Sequence, residues 1–226
     1  TEKTMNDRSQ MYVGQQQVAG SVNKVLRNTY ALLAMTLAFS AVTATISTMM
    51  NLPYPGFFIT LILYVGLLFG IHKTKDSAMG IVLTFALTGF LGYTLGPLLN
   101  MALQMPGGGE MVATALGGTA LTFFATSGYV LSTKKDMSKL GGLITAGIIM
   151  VVVAMLANFF FQMPALQLAL SAIMIPLMAM LIMYQTSEII HGGERNYILA
   201  TVTLYVSLYN LFVNLLTLLM AFNGDD

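Results

Sequence analysis

The sequence holds no cysteine, which excludes disulfides and thiol chemistry. It holds no tryptophan and only two histidines, His72 and His191, far apart in the chain. Charge is scarcer still. Asp, Glu, Lys and Arg make up 8% of the 226 residues, against about 25% in a water-soluble domain. So small a fraction cannot clothe a globule that faces water, but it suits a surface that faces hydrocarbon. A net charge of +1 gives no hold on nucleic acid, and none is expected as a partner. No acid or base lies deep in any long apolar run, which argues against a proton-coupled pump or a voltage sensor. The motifs of membrane enzymes are missing too. There is no HExxH and no GxSxG, and no pair of buried aspartates for an intramembrane protease. Both histidines sit at the ends of apolar runs. No catalytic, cofactor-binding or metal-ligating residue is expected, and the chain reads as a non-enzyme.

What is present is apolar: 56% of residues are hydrophobic, and 18 are methionine. A bilayer core about 30 Å thick takes roughly 20 apolar residues per helix. That ruler predicts an all-α fold, a polytopic bundle of seven transmembrane helices at 29–50, 56–72, 79–100, 112–132, 140–161, 165–184 and 197–222. The breaks have local causes. Pro53, Pro55 and Gly56 end the first span, and Pro106 to Gly109 end the third. A charged run, Lys134 to Lys139, follows the fourth; Gln162-Met163-Pro164 is a short hairpin; Gly192-Gly193 precedes the seventh. A polar tail, 1–28, leads in, and a short tail, 223–226, leads out. The leading tail lacks the layout of a cleaved signal peptide, so the first span is expected to target the chain.

All ten Lys and Arg residues fall on one side of this scheme: Lys3, Arg8, Lys24 and Arg27 in the tail, Lys73 and Lys75, Lys134, Lys135 and Lys139, and Arg195 in alternate connections. The positive-inside rule puts that side, with the N-terminus, in the cytoplasm. In a bacterial inner membrane the C-terminus is then periplasmic.

Three spans carry polar residues at helical spacing. The seventh has Thr203, Ser207, Asn210, Asn214 and Thr217; the first has Thr36, Ser40, Thr43 and Ser47; the fourth has Thr119, Thr122, Thr126 and Tyr129. Their faces are expected to turn inward, where they either line a hydrated path or bond between helices. Serine and threonine can bond to the carbonyl one turn back. Asn210 and Asn214 do so less easily and are the strongest candidates for a polar site. Gly66/Gly70 and Gly92/Gly96 form GxxxG pairs that let helices approach closely. Pro97 and Pro176 are expected to kink or end their helices. Glu188 reads as a solvated charge at a helix end.

The last third, Met183-Tyr184-Gln185-Thr186-Ser187-Glu188-Ile189-Ile190-His191-Gly192-Gly193-Glu194-Arg195-Asn196-Tyr197-Ile198 followed by Leu204-Tyr205-Val206-Ser207-Leu208-Tyr209-Asn210-Leu211-Phe212, resembles the Bax inhibitor family of seven-helix membrane proteins. Upstream, Lys24 to Tyr30, Thr88 to Tyr93, Ala115 to Ala120 and Lys134 to Ser138 match as well, so the resemblance covers about Asn23 to Phe222. It is strongest to a gammaproteobacterial branch. The resemblance implies one of two roles. One is restraint of the inner-membrane AAA protease FtsH, with its regulators HflK and HflC as further partners and membrane substrates such as jammed translocon subunits spared. The other is a pH-sensitive calcium leak gated by two aspartates that share a proton. The positions that match those aspartates are Gln185 and Ser207, neither of which titrates near neutral pH or offers calcium a carboxylate. A direct Gln185–Ser207 hydrogen bond is expected to hold the path shut. The connection bearing Glu188, His191, Glu194 and Arg195 is the matching cytoplasmic loop.

Overall fold

The computed structural model describes the backbone of residues 2–224 and the side chains of 20–224. Seven helices make up the described chain: α1 Glu2–Met49, α2 Phe57–Thr74, α3 Ala78–Leu103, α4 Gly108–Thr133, α5 Leu140–Phe161, α6 Pro164–Ile190 and α7 Tyr197–Asn223. Each has an apolar stretch long enough to cross a bilayer; in α1 this is Gly20–Met49. The side chains of Lys3 and Arg8 and the acids Asp225 and Asp226 lie outside the described residues.

Helix ends fall where the backbone demands them rather than where apolarity fades. The polar stretch expected to precede the first span continues the same helix, because nothing in 2–28 forces a break: it holds no proline, and its two glycines are isolated. Likewise α6 runs six residues beyond its expected end at Tyr184. Gln185, Thr186 and Ser187 are polar but helix-compatible, and the turn comes only at Gly192, with φ +77°. Asn196 caps α7, its side-chain oxygen accepting from the backbone N–H groups of Ile198 and Leu199 at 3.0 and 3.1 Å. Pro97 and Pro176 lie inside α3 and α6 without ending them.

Helix α7 is the centre. It packs against α1, α2, α3, α4 and α6, whereas the backbone of α5 lies close only to that of α6 among the described residues. Tyr205, Leu204, Leu211 and Leu216 of α7 are fully buried. By contrast α2 and α5 turn large apolar side chains outward, such as Ile62, Phe69, Met150 and Phe160, as lipid-facing helices must. The aromatic rings of Phe57 and Phe159 stack at 5.2 Å and join the ends of α2 and α5.

The α1–α3 seam is the tightest. A Cβ on Gly92 would collide with the Ser40 carbonyl and the Thr43 hydroxyl, and one on Gly96 with Ser47. The hydroxyl of Ser47 donates to the Tyr93 carbonyl at 2.8 Å across the seam. The second glycine pair behaves differently: Gly66 faces open space, and Gly70 meets only a side-chain methyl of Leu83.

Cross-connections sort the bundle's ends. At one end, Asn196 Nδ2 donates to the Lys75 carbonyl at 3.0 Å and to Asp76 at 2.9 Å, and the amide of Met137 donates to Ser187 at 2.9 Å. The α2–α3, α4–α5 and α6–α7 connections therefore meet there, and with them Lys75, Lys134, Lys135, Lys139 and Arg195. At the other end, Asn100 bonds to Asn51 at 3.2 Å, Tyr93 to the Pro53 carbonyl at 2.6 Å and Asn223 to the Pro106 carbonyl at 2.8 Å. None of the connections at that end carries a Lys or Arg.

The glycine environments yield a matched test. Alanine at Gly66 gains helix propensity, up to about 1 kcal/mol, at no steric cost. Alanine at Gly92 overpacks the seam and costs about 1–3 kcal/mol. Thermal unfolding in detergent is expected to place Gly92→Ala below the parent chain and Gly66→Ala at or above it.

Candidate functional site

The polar stripes turn largely inward, and most of their bonds are local. On α1, Thr36 donates to the Leu32 carbonyl at 2.9 Å and Thr43 to the Ser40 carbonyl at 2.9 Å. On α4, Thr119, Thr122 and Thr126 each donate one turn back, at 2.7, 2.8 and 2.6 Å. Tyr129 departs from the expected stripe and is exposed, because it lies on the outer side of α4. On α7, Ser207 donates to the Thr203 carbonyl and Thr217 to the Val213 carbonyl, both at 2.8 Å.

The two asparagines correct the expectation placed on them. Asn210 Nδ2 donates to the Val206 carbonyl at 2.9 Å, and Asn214 Nδ2 to the Asn210 carbonyl at 2.7 Å. Each amide reaches the carbonyl four residues earlier, as a hydroxyl would. Bonding along the helix answers the donor without any partner helix.

Bonds between helices rest instead on tyrosines and on hydroxyls outside the α7 stripe. The Ser40 hydroxyl donates to Tyr205 Oη at 2.6 Å, and Tyr205 donates to the Thr88 carbonyl at 3.2 Å. One buried phenol thus ties α1, α3 and α7. One turn on, Tyr209 donates to the Thr94 hydroxyl at 2.8 Å. Nearer the basic end, Tyr30 of α1 bonds to Ser127 of α4, which lies 3.2 Å from the Thr186 hydroxyl of α6. The signal that finds these residues is general: a tyrosine deep in an apolar span needs a partner for its hydroxyl.

Gln185 and Ser207 are both buried, at 6% and 0% exposure. The expected bond between them is absent. Ser207 spends its proton on its own helix, and Gln185 Nε2 has no hydrogen-bond partner among the described residues. A buried amide donor without a partner costs about 1–3 kcal/mol. The α6–α7 contact at this level is therefore made by packing.

The four loop residues organise the basic end. Glu188 closes the α6–α7 turn with its backbone carbonyl, which accepts from the Glu194 amide at 3.0 Å, and its carboxylate fills the space beside Gly193. Glu194 Oε1 accepts from the Asn196 amide at 2.7 Å, and Arg195 Nε donates to the Gly192 carbonyl at 3.2 Å. His191 bridges α6 to the α4–α5 connection: Nδ1 lies 2.9 Å from the Ser187 carbonyl, and Nε2 lies 3.1 Å from that of Lys134. Two further participants, Ser187 and Asn196, stand out only once the loops are seen to meet. In the same connection, Asp136 accepts from the Ser138 amide at 2.8 Å, which holds its carboxyl below the ordinary range. Among the described residues, no three His, Asp or Glu side chains gather to hold a metal ion.

The orphaned amide yields a prediction. Gln185→Met keeps the volume and removes the buried donor, so it is expected to raise stability by about 1–2 kcal/mol, read as a higher unfolding temperature in detergent. A lower temperature would mean that the amide has a partner.

Comparison with known proteins adds the following. A family model described as Inhibitor of apoptosis-promoting Bax1 matches residues 22–224. The protein of Escherichia coli K12 called modulator of FtsH protease YccA is 58% identical, over 88% of this chain and 90% of its own length. The counterpart in Escherichia coli O6:H1, called inner membrane protein YccA, aligns equally well. An uncharacterized membrane protein of Vibrio cholerae is 38% identical over 90% of this chain and 92% of its own. With seven apolar helices and a family match over nearly its whole length, the chain is a multi-pass membrane protein that belongs to the Bax inhibitor family.

Proposed function

We propose that this chain is a non-enzymatic modulator of an FtsH-type AAA protease in the bacterial inner membrane, restraining the degradation of membrane proteins such as translocon subunits. The observation that carries the reading is the 58% identity, over nine-tenths of its length, to a protein whose name states that role. The chain's own physics supports it. The basic end, with its Lys and Arg residues, belongs in the cytoplasm under the positive-inside rule. Residues 223–226 then face the periplasm. The polar part of α1 projects from the same cytoplasmic end, where an AAA protease works. Residues 2–28 in one helix span about 40 Å, long enough to be engaged by an unfolding machine. A pull on that helix loads the α1–α3 seam first, where Gly92 and Gly96 let the backbones lock closely. The bundle then acts as a substrate that is gripped but slowly extracted, so it occupies the protease. HflK and HflC, the membrane regulators of FtsH, are the further expected partners.

Two results test this reading. FtsH is expected to co-purify with the chain from mild detergent, and overproduction of the chain is expected to lengthen the lifetime of a jammed translocon subunit in a strain lacking its own homologue. Failure of both would remove it.

The second reading, a calcium leak, is favoured only by the two buried positions that match the family's aspartates. Here they are neutral and not bonded to each other. Calcium coordination calls for hard anionic oxygens, and a shared-proton gate calls for coupled carboxylates. Liposomes holding the purified protein are therefore expected to show calcium flux no greater than protein-free liposomes at any pH from about 5 to 8. A leak that Ser207→Asp leaves unchanged would contradict the closed reading.

A further inference from the structure

Helices α2 and α5 flank a lateral cleft. Their backbones come close nowhere among the described residues. Yet at the end without Lys or Arg the Phe57 and Phe159 rings stack at 5.2 Å, and the Phe58 and Phe159 rings meet edge to face at 5.9 Å. We propose that this cleft holds one acyl chain of an anionic phospholipid, whose phosphate lies among Lys75, Lys139 and Arg195 at the basic end.

The walls follow from helical spacing. On α2, Leu61 and Val65 continue the side of Phe57; on α5, Val152 and Met155 continue the side of Phe159. Burial sets these sides apart from the outer ones. Leu61 is 43% exposed and Val152 48%, against 69% for Ile62 and 67% for Met150, which face outward. The back wall is α7. Tyr205 turns one side of α7 to α1 and α3, and Leu211 turns another to α5 and α6. Between those sides runs a stripe at steps of three and four, Leu199, Thr203, Val206, Asn210, Val213 and Thr217, and every member is half-buried.

Size and polarity select the occupant. From Thr203 to Thr217 the stripe runs about 21 Å along the helix, more than the ~15 Å of half a bilayer core, so a chain has room at full length. At the clasp the gap is one pair of stacked rings wide, and a helix about 10–12 Å across has no seat there. Asn210 and Thr217 spend their donors on α7 itself. The Thr203 hydroxyl, nearest the basic end, makes no bond among the described residues and can donate to an ester carbonyl.

The basic end supplies the charge. Lys75 follows α2, Lys139 precedes α5 and Arg195 lies in the turn before α7, so a cation ends each wall. The ammonium groups of Lys75 and Lys139 form no ion pair among the described residues. The nearby acids are engaged within the loops. Asp76 and Glu194 accept from Asn196, Asp136 accepts from the Ser138 amide, and Glu188 fills the space beside Gly193.

The chain has no tryptophan, so one introduced indole reports the lipid beside it. Val65→Trp places it on the cleft, nine residues before the end of α2 at Thr74; Phe124→Trp places it on the open face of α4, nine before the end at Thr133. Full-length protein is reconstituted in vesicles of phosphatidylcholine and phosphatidylglycerol, one or the other dibrominated, and quenching gives the preference. Phosphatidylglycerol is expected to be favoured about tenfold beside Val65→Trp, the pull of one or two basic side chains, and about twofold or less beside Phe124→Trp, which shares the basic end but not the cleft. Lys75→Gln with Lys139→Gln is expected to lower the first value to the second. So is Val152→Phe, which narrows the cleft and removes no charge. Inorganic phosphate at constant ionic strength is expected to change neither. Native mass spectrometry of the purified single parent chain is expected to show one retained phospholipid. Equal preference at the two indoles, a preference that survives both sets of substitutions, displacement by inorganic phosphate, or a retained apolar peptide with no lipid would each overturn the proposal.

Discussion

Hydrocarbon offers a polar atom nothing to bond to, and that one constraint arranges most of this molecule. Every hydroxyl and amide placed in a span must find its partner inside the protein. The chain does this at two ranges. Most threonines of the polar stripes, with Ser207, Asn210 and Asn214, turn back on their own helices, as Thr119 does. Tyrosine cannot reach back in this way and bonds across helices, so Tyr205 becomes the joint of α1, α3 and α7. Local bonding leaves the polar stripe of α7 with little part in holding the helices together, while a buried phenol carries part of the tertiary structure. Among the described residues three buried groups escape this rule, the hydroxyls of Thr29 and Thr60 and the Nε2 of Gln185, and a lone buried donor in such an interior is a standing cost.

The constraint also drives charge to the ends, and there it acts as architecture. The three connections at the basic end are stitched by Asn196, Ser187 and His191, and the acids Glu188 and Glu194 shape the turn between α6 and α7. None of this needs a deep salt bridge, which would be expensive to bury. Close approach of backbones does the remaining work. At Gly92 and Gly96 the α1–α3 seam leaves no room for a Cβ, so the helix that projects from the bundle is also closely locked within it.

Much of this was legible in the sequence because it follows from length and composition. Runs of about 20 apolar residues and the sorting of every Lys and Arg to alternate connections require seven spans, and the structure has seven. Other features were not legible, for physical reasons. Apolarity marks where lipid ends, whereas a helix ends at its own backbone signal, so α6 continues through Gln185 to Ile190. Spacing says which residues share a face but not whether a side chain bonds along its helix or across to another, and so the expected Gln185–Ser207 bond did not appear, while Asn210 and Asn214 bond along α7 as a hydroxyl would. The two GxxxG pairs are indistinguishable in sequence. One lies in a backbone seam; in the other Gly66 faces open space and Gly70 meets only a Leu83 methyl, because α2 sits at the edge of the bundle.

The account stands on which face of the bilayer the basic end occupies. The chain has no cysteine, so single introduced cysteines report without background. Lys135→Cys in the α4–α5 connection and Met163→Cys in the α5–α6 hairpin mark the two ends. With a membrane-impermeant maleimide applied to spheroplasts, Met163→Cys is predicted to label at once and Lys135→Cys only after the membrane is permeabilised. The reverse pattern, or labelling of both from the outside, would contradict the account.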